Sequence, residues 1–272
     1  MARRRLDSEL VRRGMARSRE QAALLIASGR IEVRGIKASK PATGVDADTP
    51  LRLTGDDVEY ASRGGHKLAG ALDALPGLTV AGRRCLDAGA STGGFTDVLL
   101  RRGAAGVVAV DVGYGQLAWS LRTDSRVTVV DRTNVRTVTP EQIGGPVELT
   151  VADLSFISLR LVLPALTACT RDDGDLLPMV KPQFEVGRER LANSGGVVRD
   201  PALRADAVIG VAREAARSGW GVAGVTPSPL PGPSGNVEFF LWLRRDAVRD
   251  DRSVDESHIA AVVEQAGRRA ED

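Results

Sequence analysis

Cys85-Leu86-Asp87-Ala88-Gly89-Ala90-Ser91-Thr92-Gly93-Gly94-Phe95 sets an acid and a run of small residues between an apolar strand and the start of a helix. Such a turn lets a ligand approach the backbone closely, because glycine has no Cβ and reaches conformations that other residues avoid. A dinucleotide-binding turn would read G-x-G-x-x-G and seat a pyrophosphate on the helix N-terminus. Here Asp87 stands where that phosphate would be repelled, so a cationic ligand suits the loop better. Asp87, Gly89, Ala90, Ser91, Thr92, Gly93, Gly94 and Phe95 are read as ligand-binding, and Gly93 as a position where any side chain would intrude on the ligand. About twenty residues later Asp111 ends the second strand, where an acid accepts both hydroxyls of a ribose. Asp131 and Asn134 follow the third strand, as in any strand-ending loop rich in Asp and Asn. A tight turn that needs glycine and nothing more is the plainer alternative.

Outward from this loop, strands and helices alternate. Strands are expected at 84–87, 107–111, 127–130, 147–153, 176–181, 222–225 and 238–243, and helices from Gly94, around Leu117, over 159–168 and over 202–218. That pattern is α/β, a doubly wound Rossmann-like domain with a largely parallel sheet. The tail over 246–272 is polar, with one weak amphipathic helix around Ile259 to Val263, and is expected to be mobile or peripheral. Phe156 and Trp119 are read as core packing in preference to stacking.

Composition removes several chemistries. Cys85, Cys169, His66 and His258 are the whole supply of cysteine and histidine, so neither a zinc-ligand spacing nor a disulfide framework can be written. No metal is expected. No G-x-S-x-G elbow accompanies either histidine, which excludes a hydrolase of that kind. No apolar run approaches the roughly 18 residues of a membrane span, and no apolar signal core follows the basic N-terminus, so the chain is read as cytoplasmic.

The formal charge of +2 hides a division: residues 1–41 carry 11 Arg and Lys against 4 Asp and Glu, whereas 42–272 carry 26 against 31. The basic end holds two helical pieces between Leu6 and Gly29, the second opening with Ser18 three residues before Gln21, then strand-like runs at 30–33 and 51–53. Arg3, Arg5, Arg17, Arg19, Lys37 and Lys40 are candidate phosphate contacts; a solvated helical face is the alternative. The run R-S-R-E-Q-A-A-L-L-I-A-S-G-R-I-E-V-R-G resembles the S-four-type RNA-binding domain over about residues 4–53. The reading divides the chain into a small α+β RNA-binding domain at 1–59, a linker at 60–66, an α/β domain at 67–245 and the tail.

The motif D-x-G-x-S-x-G-G resembles the first motif of Rossmann methyltransferases, which implies S-adenosyl-L-methionine as the cofactor, a ligand with an ammonium and a sulfonium but no phosphate, and places its adenine contacts at Asp131 and Asn134. Only four lysines stand against 33 arginines, and lysine, unlike arginine, is readily neutralised. Two of the four, Lys67 and Lys181, join Asp153 and Glu238 in reading as the K-D-K-E tetrad of RNA ribose 2′-O-methyltransferases. Ligands bind beyond the carboxyl ends of strands in such sheets, so Asp153 and Lys181 should share the crevice of Gly89. The surrounding runs S-R-G-G-H-K-L, D-V-G-Y-G-Q-L-A-W, A-D-L-S-F-I-S-L, V-K-P-Q-F-E-V-G and S-P-L-P-G-P-S-G-N-V-E-F-F-L-W-L closely resemble the TlyA family from about residue 3 to 245.

That resemblance implies an FtsJ-like catalytic domain that methylates cytidine ribose in 16S and 23S rRNA near the subunit interface, where capreomycin and viomycin bind. The expected partner is rRNA in ribosomal subunits, with no membrane and a monomeric enzyme. Lys181 is the candidate for removing the hydroxyl proton, with Lys67 supporting the developing oxyanion and Asp153 and Glu238 fixing both. Arg63 and His66 flank Lys67 and are read as RNA contacts, with packing as the equal alternative. Three rivals remain open on sequence: a membrane-active haemolysin, a non-catalytic ribosome-binding factor and a nicotinamide oxidoreductase.

Overall fold

Leu6 and Leu10, then Ala22, Leu25 and Ile26, recur at helical spacing on either side of Gly14, and both stripes are buried. A computed structural model describes residues 3–16, 18–27, 29–54, 60–187, 189–191, 194–248 and 254–271; Arg17 lies outside the described residues. The chain forms two units, 1–59 and 60–272. In the first, β1 (Arg4–Arg5), α1 (Leu6–Arg12) and α2 (Arg19–Ala27) lead into β2 (Ile31–Val33), β3 (Ile36–Lys37), β4 (Gly44–Val45) and β5 (Leu51–Leu53). β2 lies between β3 and β5 and is antiparallel to both, while β1 pairs with β4. The Ser18 hydroxyl accepts from the Gln21 amide at 3.1 Å, the cap its spacing predicts.

The second unit opens with a helix the sequence reading does not anticipate. α3 (Arg63–Ala74) includes four residues taken as linker, because consecutive glycines at 64 and 65 argue against a helix. Close packing explains them: a Cβ at Gly65 would sit 2.3 Å from Tyr60 Cβ. There follow β6 (Arg84–Ala88), α4 (Gly94–Arg101), β7 (Gly106–Val110), α5 (Trp119–Arg122), β8 (Val127–Val130), β9 (Val147–Ala152), α6 (Leu159–Cys169), β10 (Thr170–Val180), α7 (Pro182–Glu185), α8 (Pro201–Arg217), β11 (Gly221–Pro227), β12 (Phe239–Arg244) and α9 (Glu256–Glu271).

The seven strands run in the order β11-β12-β10-β9-β6-β7-β8. Six run in one direction, and β12, between β11 and β10, is antiparallel to both neighbours. Alternate residues enter different cores, as a period of two demands: Cys85, Val107 and Ala109 pack on one face, and Leu86, Val108 and Val110 on the other. Ala88 pairs with both Val110 and Ala152, so the next residues, Gly89, Asp111 and Asp153, emerge at one level.

The tail departs from expectation. α9 buries Ile259, Val263 and Ala266 in the core shared by Val208 and Val211 of α8. Its apolar stripe is only one residue wide per turn, so the polar majority masks an integral helix. Among the described residues no helix is long and apolar enough to cross a membrane.

Candidate active site

Two cavities, of about 330 and 500 Å³, open beyond the carboxyl ends of β6, β7 and β9, and Gly89, Ser91, Asp153 and Ser155 line both. Lys67, Lys181 and Arg63 line the smaller; Asp111 and Asn134 line the larger. Residues from six separate stretches thus meet at the strand ends, where a doubly wound sheet leaves its crevice.

The four tetrad side chains form two ion pairs. Lys67, on the second turn of α3, places Nζ 2.5 Å from Glu238 Oε2, and Lys181 places Nζ 2.5 Å from Asp153 Oδ1. Lys181 also donates to the Ser155 hydroxyl at 3.0 Å. Glu238 is 1% exposed and Lys67 7%, so this pair is nearly dry, whereas Asp153 keeps access to the cavity. Glu238 Oε1 has no hydrogen-bond partner among the described residues, and a Cβ at Gly232 would fall 2.6 Å from it. Each lysine is neutralised where it is buried, which is the condition for keeping a charge out of water.

Asp87 is a correction to its reading. Its side chain is fully buried and faces α4, where Thr96 Oγ1 donates to Oδ2 at 2.7 Å, and it does not line either cavity. Burial pushes the carboxyl up to about 7, with Asp153 and Asp111 adding repulsion. Oδ1 lacks a partner among the described residues. Gly93 is also small for another reason than the one expected: a Cβ there would meet Leu121 Cδ1 at 2.3 Å and Leu117 Cδ1 at 2.8 Å, at φ +96°. Gly89 is small for a like reason, since its Cβ would lie 2.6 Å from the Asp153 carbonyl oxygen at φ +86°. Ala90, Ser91, Thr92, Gly94 and Phe95 line the smaller cavity.

Asp111 is held by two backbone amides, Ser91 N to Oδ2 at 2.8 Å and Gly113 N to Oδ1 at 2.7 Å. Asn134 caps a short turn by accepting from the Arg136 amide at 2.9 Å. Asp131 is not brought to the cavity: it pairs with Arg122 at 3.1 Å and accepts from the Gly115 amide at 3.2 Å. His66 packs edge-on against Tyr60 with centroids 5.1 Å apart. Phe156 and Trp119 reverse their expected places, at 91% and 77% exposed. Phe156 also holds φ +64°, a backbone strain sustained beside its ring contact with Phe184 at 5.2 Å.

In the N-terminal unit, buried carboxylates organise the arginines. Arg5 and Arg19 both bind Asp7, at 2.9 and 3.0 Å, and hold its carboxyl well below the usual range. Arg12 and Arg13 likewise bind Glu9, lowering it to about 2. Arg3 lies 3.8 Å from Asp46, while Lys37 and Lys40 are exposed and have no carboxylate partner among the described residues. Sequence reading missed these anchors, as it missed Glu185. That carboxylate accepts from Ser158 Oγ at 2.5 Å and the Leu159 amide at 2.7 Å, tying the loop after Asp153 to the loop after Lys181. An acid four residues beyond a strand-end lysine was its faint signal. Among the described residues no cluster of three or more metal-ligating side chains occurs.

A doubly wound domain with this tetrad and glycine loop defines a methyltransferase, and residues 60–245 match the FtsJ-like methyltransferase family; residues 4–49 match the S4 domain. The 16S/23S rRNA (cytidine-2′-O)-methyltransferase TlyA of Mycobacterium tuberculosis is 60% identical over 98% of each chain. YqxC of Bacillus subtilis is 43% identical over 96% of this chain and 93% of its own. A solved structure from Streptococcus thermophilus, named as a hemolysin, is 38% identical, with a TM-score of 0.76 over 98% of this chain and 97% of that one. The chain belongs to the TlyA family.

Proposed function

We propose that the chain transfers a methyl group from S-adenosylmethionine to the ribose 2′-oxygen of cytidine in 16S rRNA, 23S rRNA or both, near the subunit interface, and so sustains susceptibility to capreomycin and viomycin. The observation that carries the reading is the pairing of Lys181 with Asp153 and Lys67 with Glu238 where the two cavities share their lining.

The residues present fit the cofactor. The larger cavity, lined by Gly89, Asp111 and Asn134 and by no lysine or arginine, suits a cationic nucleoside without phosphate. When bound there, S-adenosylmethionine supplies a methyl group activated by its sulfonium. In this reading Asp111 accepts the ribose hydroxyls and Asn134 borders the base.

A ribose hydroxyl is a weak nucleophile at neutral pH, so positioning and proton removal are the protein's tasks. Lys181 Nζ, held by Asp153 and Ser155, orients the hydroxyl and assists removal of its proton, which leaves by way of the partly exposed Asp153 to solvent as the methyl group transfers. Lys67, fixed by Glu238, stabilises charge developing on the 2′-oxygen. Arg63 lies on the cavity rim as a contact for RNA, and the cations of residues 1–41 supply long-range attraction to rRNA that residues 42–272, at 26 cations to 31 anions, lack.

The test maps ribose methylation across 16S and 23S rRNA from cells lacking the gene, complemented with the parent or Lys181→Ala. The parent should restore methylation at cytidine together with drug susceptibility. Purified Lys181→Ala should transfer methyl groups roughly 10²-fold more slowly at nearly unchanged RNA affinity. Identical methylation maps with and without the gene would refute the proposal.

A further inference from the structure

The segment between β7 and α5 turns its large apolar side chains outward. Val112, Tyr114 and Trp119 are 74%, 65% and 77% exposed within eight residues. Surface exposure on that scale leaves bulky rings without a packing role, and the segment is not loose. Gly113 O accepts from the Arg132 amide at 2.9 Å, Asp111 O accepts from the Thr133 amide at 2.9 Å, and the Ala118 amide donates to Thr92 O at 3.2 Å. Arg132 adopts φ +56° and lays its guanidinium 4.3 Å from the Tyr114 ring centroid. The backbone that carries the rings and the Tyr114 ring itself are therefore held in place, which reduces the ordering cost of stacking there.

The segment also borders the site. Val112 and Gln116 line the larger cavity, and Thr92, bonded to Ala118, lines the smaller. Its charge is positive in a near-neutral unit. Residues 112–136 hold four arginines and two aspartates, whereas 60–272 as a whole holds 25 cations and 26 anions. Arg122 and Arg126 are paired with Asp131 and Asp124; Arg132 and Arg136 have no carboxylate partner among the described residues. Exposed rings beside unpaired arginines match what unpaired RNA offers, a π-face on every base and a phosphate on every nucleotide.

We propose that Tyr114, Trp119 and Arg132 form a stacking platform for unpaired rRNA bases flanking the nucleotide held in the catalytic cavity. The proposal rests on the reading of rRNA as substrate. Trp119 and the Arg132-capped Tyr114 ring supply faces for bases, and Arg132 with Arg136 meets the adjoining phosphates.

The experiment measures the affinity of the full chain for protein-free 16S and 23S rRNA transcripts and for assembled subunits across a salt series, for the parent, Trp119→Phe, Trp119→Ala and Arg132→Ala. S-adenosylmethionine affinity is titrated in parallel and reports that each variant is folded. Trp119→Ala should weaken rRNA binding roughly ten- to hundredfold without changing the log–log salt slope, and Trp119→Phe should stay within about threefold of the parent. Arg132→Ala should flatten the slope by about one unit. Parent-like binding by Trp119→Ala, equal losses in the Phe and Ala variants, or lost cofactor affinity would each overturn the platform. A loss confined to assembled subunits would assign the face to ribosomal protein instead. A parent that methylates neither rRNA fails the underlying function, whereas methylation by the parent with no effect of Trp119→Ala fails the platform alone.

Discussion

Removing one member of the Lys67–Glu238 pair should destabilise the protein far more than removing both. The Nζ to Oε2 distance is 2.5 Å, and the two side chains are 9% and 1% exposed. Breaking a buried pair typically costs about 3–5 kcal/mol because a charge is left without compensation, while an apolar replacement of the whole pair is often neutral or stabilising. Lys67 borders the cavity, which places the loss from Glu238→Leu nearer 3 than 5 kcal/mol; Lys67→Met strands the drier carboxylate and should cost more. For a unit of this size each kcal/mol moves Tm by about 2–4 °C, so single variants should melt roughly 6–20 °C lower. The double variant should return to within a few degrees of the parent, because Glu238 Oε1 already lacks a partner and its removal relieves that cost. Urea titration with an unchanged m-value, alongside thermal melting, reads the three stabilities, and methyl transfer should be lost in all three. A double variant destabilised by the sum of the single losses would show that the ion pair carries no coupling, and the reasoning from burial would fail.

Asp87 has a folded-state carboxyl raised to about 7, so the folded protein binds the extra proton between pH 4 and 7 and stability should fall as pH rises through that window. Asp87→Asn should flatten the fall, by up to about 3 kcal/mol between pH 5 and 8 in urea titrations; an unchanged slope would assign it to other groups. Gly89→Ala should impair catalysis more than Gly93→Ala, since its Cβ meets the Asp153 backbone whereas that of Gly93 meets leucine side chains. Turnover relative to Tm separates the two, and equal turnover losses at equal stability would count against this. Replacing Lys37 and Lys40 by glutamine should flatten the salt dependence of rRNA affinity by nearly two log–log units. No change of slope would remove them from the phosphate contacts.

Local pattern carried much of the architecture. The Ser18 cap, the strands at 84–88 and 127–130, and the helix from Gly94 follow from capping chemistry, apolar runs and glycine placement, all of which act within a few residues. The strand-end rule also led from separate segments to one crevice, where Lys67, Asp153 and Lys181 meet. Failures came where a residue's surroundings lie far away in sequence. Two glycines argued against α3, yet Tyr60 packs against Gly65, and Asp153 and Phe95 lie close to Gly64; a polar tail concealed α9, whose narrow stripe finds its partner on α8. Phe156 and Trp119 were assigned to the core by their size alone, and the structure turns both outward.

Sequence alone settled the alternation of strands and helices from β6 to β12, the glycine turn after the first parallel strand and the types of the four tetrad side chains, because periodicity and backbone conformation are properties of neighbouring residues. Tertiary packing settled which lysine meets which carboxylate, that Asp87 turns under its loop while Asp111 reaches the cavity, and that Glu185 ties α7 to the loop after β9. Those outcomes depend on strand order and register, and on how much water remains around each charge. Ion pairing over 171 residues of chain, as between Lys67 and Glu238, is settled by packing of the whole sheet and leaves no local trace.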